Sequence, residues 1–547
     1  MKKTLIALVA GGLVSSTFAA DNSTPNLRIL DEQSTAWTRN FNPWLGGLAS
    51  TGYAYEPLFL FNQLDSQKEH PWLATSYEIS EDLKTLTVDI REGVKWSDGE
   101  DFTVEDILFT FEYTKQNPSI DLSGVNTAVS SVEKVDENTI KFHLAEQNAF
   151  VHLNVLKTTI IPQHIWSSVE DPTREIVQNP VGTGPFTEIE RFTPQVYTQC
   201  VNENYWNDDI EVRCLEFPQF SSSDAALEMM SKGSTDWHNI FVPDIDRLYV
   251  NSADGNKYWF PSGDGVRLTF NYDTENEGAK KAFSDVEFRK AASLAMDREA
   301  MRDLGAYGYV KLGNSATNLS GSLSSWKDDA AEKTWAEFNQ FDMSKAKQIL
   351  ADAGYKDVTG DGYIENKDGS KLEFMIQVPS GWGAMVNNAT IAVEGLREAG
   401  IKANLITPET SAYSKNWNGG NFDANIGAGS SASSVWKFYD YTMHSRYAKT
   451  GNWWSTAMHN YANQDIDEAI AVLSKTLDSD KQKEIVGEIE RHYAENVVQI
   501  PLYLNAVWYS YNDSRFTGFF NADNPVAHPA TFSENKLLHV RYIKPRS

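Results

Sequence analysis

Between residues 85 and 111 the hydrophobic pattern changes period once, and the change predicts a strand followed by a helix. Leu86, Val88 and Ile90 alternate with Thr87 and Asp89, the period of two expected of a half-buried strand. Asp98-Gly99 supplies turn chemistry. Thr103 is then placed to cap a helix, Asp106 stands at the capping-box position three residues on, and Phe102 and Ile107 can staple the first turn. A second stretch carries more topology. Leu372 to Val378 reads as a strand, Ala384 to Glu398 is apolar at helical spacing up to Gly400, and Ile401 to Ile406 is again strand-like, which together predict a βαβ unit. Phe422 to Ile426 predicts a further strand ending in the loop Gly427 to Ser434, and Ser284 with Glu287 predicts a capping box opening a helix through Phe288, Ala292 and Ala295. The fold class is therefore α/β. In open α/β sheets ligands lie beyond the carboxyl ends of the strands, so the loop Pro379 to Gly383 falls on the expected functional edge.

Length changes the picture from one sheet to several, because 547 residues divide into two or three domains. Met1-Lys2-Lys3, the apolar run Leu5 to Val14 and the end Thr17-Phe18-Ala19 read as a secretory signal over residues 1–19. The run is shorter than the roughly 20 residues of a spanning helix. The only cysteines are Cys200 and Cys214, neither at the cleavage point, so the exported chain is expected to be soluble in the periplasm without a lipid anchor. Two strand-like runs flank an Asn/Asp-rich turn between them, predicting a cross-strand disulfide; closing about 15 residues contributes about 3 kcal/mol in the loop-entropy account. The formal net charge of −27 makes nucleic acid an unsuitable partner, and its dispersal along the chain fits a solvated surface.

Candidate chemistry is sparse. Among 16 tryptophans, Trp382 stands out because Gly381 and Gly383 give its ring no packing support on a loop at the functional edge. An indole there can take the apolar face of a pyranose; covering about 50 Å² supplies about 1 kcal/mol. Asp357, Thr359 and Asp361 fall at the spacing of a calcium loop, but the twelfth position holds Asp368 where an EF-hand needs glutamate, so a hydrogen-bonded loop is the expectation and no metal or cofactor is implied. Gly182-Thr183-Gly184-Pro185 is no phosphate cradle, since Pro185 removes an amide donor. HExxH and GxSxG are both absent. A glycosidase pair among 75 acids stays open, with nothing positive in its favour.

The run Ile90 to Phe111 also resembles a family: the extracytoplasmic solute-binding proteins of ABC importers, in the family 5 class that carries oligopeptides, nickel and oligosaccharides. YEPLF (Tyr55 to Phe59), NPVGTGPF (Asn179 to Phe186), NENYW (Asn202 to Trp206), FRKAASLAMDREAM (Phe288 to Met301), DMSKAKQILADAGY (Asp342 to Tyr355) and IPLY (Ile500 to Tyr503) extend the likeness over the mature chain in one order. RNFNPW (Arg39 to Trp44), FVPDIDR (Phe241 to Arg247), the cysteines and VPSGWG (Val378 to Gly383) look most like the chitin- and cello-oligosaccharide binders of marine bacteria.

The resemblance implies a two-lobed periplasmic-binding-protein fold with an inserted extra domain and the ligand cleft between the lobes. Lobe I would comprise residues 20–50, 183–267 and 509–547, the insert 51–182, and lobe II 268–508. It implies a second stacking aromatic at Phe532, where those relatives carry tryptophan, and cleft-facing residues at Trp37, Arg39, Asn40 and Phe41, with Asn505 and Trp508 beside the last interlobe crossing. Two departures bear on chitin. Ala384 stands where a carboxylate is expected, and Ala428, Gly429 and Ser430 replace polar and aromatic sugar contacts, leaving Asn425, Trp436 and Asn387 as substitutes. The resulting expectation is a monomeric, non-enzymatic binding protein that delivers an oligosaccharide, β-linked in type, to an inner-membrane ABC permease. The alternatives are an oligopeptide binder and, further off, a secreted glycoside hydrolase.

Overall fold

A computed structural model describes residues 25–31, 37–45, 48–65, 67–121, 124–429, 432, 434–448 and 459–546. The predicted leader and Ser430 lie outside these residues. Two large sheets organise the chain. One has seven strands, in the order Asn256–Trp259, Tyr509–Asn512, Trp237–Asn239, Leu27–Leu30, Cys214–Pro218, Val196–Val201, Phe186–Phe192. The other has five, in the order Lys402–Ile406, Glu373–Gln377, Ala424–Ala428, Ser262–Phe270, Ile500–Ala506. This is the two-lobed, mixed α/β architecture expected.

The lobes are joined where two neighbouring strands pass from one sheet to the other. Trp259 pairs with Tyr509 in the first sheet and Ser262 with Ala506 in the second, so the short crossings Phe260-Pro261 and Val507-Trp508 run side by side. The Val507 N–H donates to the Pro261 carbonyl at 2.9 Å and ties them together. A pair of crossings held this way is a hinge: few dihedrals need change to swing one lobe on the other.

The predicted βαβ unit forms with shifted ends: strand Glu373–Gln377, helix Gly383–Glu398, strand Lys402–Ile406, the two strands parallel. Ala424–Ala428 adds in parallel on the other side of the first strand. The predicted strand Phe422 to Ile426 thus starts two residues later and runs into the predicted loop.

In the four-stranded antiparallel sheet, Thr85–Ile90 buries Leu86, Val88 and Ile90. The helix Val104–Gln116 opens on the predicted box, with the Glu105 N–H donating to Thr103 Oγ1 (3.3 Å) and the Thr103 N–H to Asp106 Oδ2 (2.9 Å). One prediction shifts by a residue. Asp285, not Ser284, caps the helix Val286–Leu294, because Ser284 closes the preceding helix and donates to the Lys280 carbonyl instead.

Cys200 and Cys214 stand opposite each other on antiparallel strands and are joined by a disulfide. Gly182 and Gly184 are required by close approach, as a Cβ would meet the Ala54 carbonyl oxygen at 1.8 Å and the Tyr53 carbonyl oxygen at 2.3 Å. Nearby, Glu56 is fully buried and accepts from Trp72 Nε1 (2.6 Å), Trp206 Nε1 (3.0 Å) and the Tyr205 hydroxyl (3.1 Å). Burial pushes its carboxyl up to about 7 against those donors. No helix among the described residues is long and apolar enough to cross a membrane.

Candidate functional site

A cleft of about 1050 Å³ opens between the two sheets, beside the hinge. Its lining comes from both lobes and from the crossings themselves. Asn239 ends a strand of the first sheet and Phe241 follows it, Asn505 is the penultimate residue of one strand of the second and Ala428 the last of another, and Trp508 sits in a crossing.

Trp382 lines this cleft. Its loop is shaped by the backbone: the Ser380 N–H donates to the Pro408 carbonyl (2.9 Å) and the Trp382 N–H to the Pro379 carbonyl (3.1 Å), after which the helix Gly383–Glu398 begins. The indole is half-buried, 5.9 Å from the Tyr413 ring and tilted by 56°, so its own lobe supports one side. Phe241 of the facing lobe approaches Gly383 closely enough that a Cβ there would sit 4.0 Å from its ring.

Phe532 also lines the cleft and is 62% exposed, which leaves ring area free for contact there. Its ring neighbour His528, 6.0 Å away, is held neutral at pH 7 because burial pulls its pKa down to about 4. Asn505 and Trp508 are also predicted residues found here. Trp508 packs edge-on against Phe241 (4.9 Å) and Phe260 (5.3 Å), joining hinge and cleft wall. Asn387 lines the cleft too, with its amide donating to the Gly305 carbonyl at 3.4 Å.

Six predicted residues stand outside the cleft lining, and packing supplies the reason in each case. Trp37 lies edge-on to Tyr197 at 4.8 Å. Arg39 donates to the Gln178 carbonyl (3.0 Å) and Asn179 Oδ1 (2.6 Å), and Asn40 Oδ1 accepts the Val177 N–H at 2.9 Å. Phe41 is fully buried in the core. Asn425 is buried in register between Thr269 and Gln377. Trp436 is buried and stacks on Phe150, with centroids 6.1 Å apart and planes at 12°.

Several lining groups carry no sequence signal. Gln67 Oε1, Asn239 Oδ1, Ser262 Oγ and Asn318 Oδ1 are buried without a hydrogen-bond partner among the described residues. A buried polar atom left this way costs about 1–3 kcal/mol, so these four are positions where water or a ligand can bond. Charge is also present. Asp31, Asp224 and Asp264 line the cleft, as does Arg267, which donates to Gln499 Oε1 at 3.1 Å; burial pulls its pKa down to about 10, opposed by Asp264, and leaves it protonated at pH 7.

The calcium-like loop is differently composed from its prediction. Asp357, Asp361 and Glu365 bring carboxylate oxygens within 4.8 Å of one another, while Asp368 instead pairs with Lys281 at 2.6 Å. Thr359 donates to Glu365 (2.9 Å), which also accepts the Val358 N–H (2.6 Å). Asp357 accepts from Gly360 (2.6 Å) and Gly362 (2.9 Å), so these carboxylates hold the loop's own turn.

A two-lobed fold, hinged by paired crossings around a cleft with unsatisfied polar atoms, defines a ligand-enclosing binding protein. Residues 68–451 match the bacterial extracellular solute-binding proteins, family 5, and the chain belongs to that family. Its place is that of the extracytoplasmic substrate-binding component of an ABC transporter, working with an inner-membrane permease. Among similar proteins, the oligopeptide-binding protein AppA of Bacillus subtilis is 28% identical over 400 residues, 69% of each chain. Di/tripeptide-binding protein 3 of Pseudomonas aeruginosa is 24% identical over 537 residues, covering 93% of this chain and 94% of its own. A Thermotoga maritima periplasmic oligopeptide-binding protein, solved with mannohexaose bound, superposes with TM-score 0.84 at 24% identity over 95% of this chain and 98% of that one. The Bacillus subtilis protein solved with a nonapeptide superposes with TM-score 0.75 at 21% identity over 96% of this chain and all of that one. These relatives are transport proteins, and the structural likenesses establish the fold alone.

Proposed function

We propose that this protein captures an oligosaccharide in the periplasm as a monomer, closes its lobes over it without hydrolysing it, and presents the closed form to the permease. β-Linked chains of the chito-, cello- or β-glucan type are the proposed ligands. The observation that carries this reading is the pairing of an available aromatic face at Trp382 with four unpartnered buried polar atoms in one cleft. A pyranose has an apolar face for the first and hydroxyl donors for the second, whereas an apolar ligand would leave the polar atoms unsatisfied. Ala384, Ala428 and Gly429 lie on the cleft wall and offer no side-chain polar group, which leaves an N-acetyl group without a polar grip there and widens the candidates beyond chitin. Residues 20–50, 183–267 and 509–547 are proposed as lobe I, 51–182 as the insert and 268–508 as lobe II.

A second reading is kept because of the cleft charges. Asp31, Asp224, Asp264 and Arg267 are groups that pair with peptide termini, and peptide binders are among the similar proteins. Binding calorimetry against chito-, cello- and laminari-oligosaccharides alongside di-, tri- and nonapeptides separates the two. Saturable binding of a sugar series, with unchanged sugar on chromatography and a more compact scattering profile at saturation, is the expected result. Binding confined to peptides overturns it.

A further inference from the structure

Tyr307 combines two features that seldom coincide: its backbone is left-handed (φ +55°) and its large side chain is 44% exposed. Left-handed backbone penalises any side chain bulkier than that of glycine or asparagine, and exposing an aromatic forgoes burial. The turn is set by its surroundings. It follows a π-helical turn at Met301–Gly305, and Gly305 is pressed so closely to the helix Gly383–Glu398 that a Cβ would meet Asn388 Oδ1 at 1.7 Å. Gly308 is left-handed as well (φ +79°), and its N–H donates to the Arg302 carbonyl at 2.7 Å. The backbone path is thus set by packing; the phenol ring stacks on Tyr309 (centroids 6.4 Å apart, planes at 19°), and glycine would follow the same path with less backbone strain.

What the ring does reach is the cleft. Tyr307 lines it together with Phe241 and Trp508, its centroid 6.1 Å from Phe241, which is in turn 4.9 Å from Trp508. Phe241 comes from the first sheet's lobe and Tyr307 from the second's, so the three rings form a continuous aromatic floor across the hinge side. Trp382 lies on a separate loop, and its neighbour Gly383 faces Phe241.

We infer that Tyr307, backed by Phe241 and Trp508, is the floor of a second pyranose subsite, contacting a different ring of the oligosaccharide from the one on Trp382. This rests on the oligosaccharide reading. The ligand class narrows to chains of two or more rings with flat, C–H-rich faces, and Tyr307 becomes a determinant of chain-length preference.

The test compares the parent with Tyr307→Gly and Tyr307→Phe by calorimetry against cello- and chito-oligosaccharides of one to five rings, with thermal melts of the unliganded proteins. Tyr307→Gly should bind the longer sugars about tenfold more weakly, the shortest ligand unchanged, and melt close to the parent temperature, since relief of the left-handed backbone offsets the unfolded-chain entropy that glycine adds. Tyr307→Phe should stay within about twofold, because the ring face and not the hydroxyl makes the contact. Unchanged affinity of Tyr307→Gly for every length that the parent binds overturns the subsite while leaving the oligosaccharide reading intact. A marked loss of melting temperature with unchanged affinity does the same, by making Tyr307 a packing residue. If the parent binds no sugar at all, the oligosaccharide reading fails and the subsite falls with it.

Discussion

Trp382 and Trp436 begin from the same position in the fold and end in different roles. Each follows the carboxyl end of a strand in the five-stranded sheet, Trp382 after Glu373–Gln377 and Trp436 after Ala424–Ala428, where the geometry of open α/β sheets puts ligands. Trp436 meets a ring supplied by the protein. Phe150, from the segment after the four-stranded sheet, stacks on it, and next to that stack the Ala149 N–H donates to the Ser474 carbonyl at 2.8 Å. Lys437 adds its ammonium 3.6 Å from the Tyr441 ring. Trp382 meets the cleft, with its outer face uncovered by any comparable ring among the described residues. An indole at a sheet edge is therefore assigned by what the rest of the chain places opposite it, and the same residue type serves a contact between domains in one loop and an open binding wall in the next.

That contrast can be broken most decisively at Trp436. Trp436→Ala should cost about 3 kcal/mol of unfolding free energy, the cost of truncating a large buried aromatic, read by denaturant unfolding. A cycle with Phe150→Ala should give about 1 kcal/mol of coupling for the stacked pair. Strict additivity would mean the two rings do not work together, and the comparison would lose one side.

The complementary experiment is Trp382→Ala. Oligosaccharide affinity should fall by about 1 to 3 kcal/mol, as for a truncated aromatic anchor, with the melting temperature close to the parent's. A variant that melts far lower and binds its sugar equally well would put Trp382 in the same packing role as Trp436.

The smallest effect is electrostatic and belongs to the Trp436 side alone. Burial pulls the Lys437 ammonium down to about 8, with Asp440 opposing, Arg446 reinforcing and Asp121 opposing. Its unfolded value is 10.5, so as pH falls from there the unfolded chain takes up the proton first and stability declines until the folded group titrates near 8. The parent should therefore gain stability relative to Lys437→Met as pH rises from about 8 toward 10.5. A flat difference across that window, measured by unfolding at each pH, would remove Lys437 from the buried contact.

Much of the local architecture is legible in the order of residues alone. The alternation Leu86, Val88, Ile90, the box at Thr103 and Asp106, the βαβ unit and the cysteine pair all depend on residues two to four positions apart or on one hairpin. The site is legible only in part. Asn505, Trp508, Phe532 and Trp382 reach the cleft, but Trp37, Arg39, Asn40 and Phe41 are engaged by Tyr197 and by the chain between Val177 and Asn179, well over a hundred residues away. Glu56 likewise looks like an ordinary surface acid in YEPLF until Trp72, Tyr205 and Trp206 converge on it.

The sequence by itself determined the type and order of these elements, the cap at Thr103 and the class of fold, because hydrophobic period, side-chain capping and turn chemistry act over one or two turns of chain. Only the tertiary structure decided which aromatics face the cleft and which are covered, and which side-chain amide oxygens, those of Asn239, Asn318 and Gln67, are left without a partner among the described residues. Those outcomes depend on surfaces brought together from distant segments, and a side chain's availability is a property of whatever packs against it rather than of its neighbours in sequence.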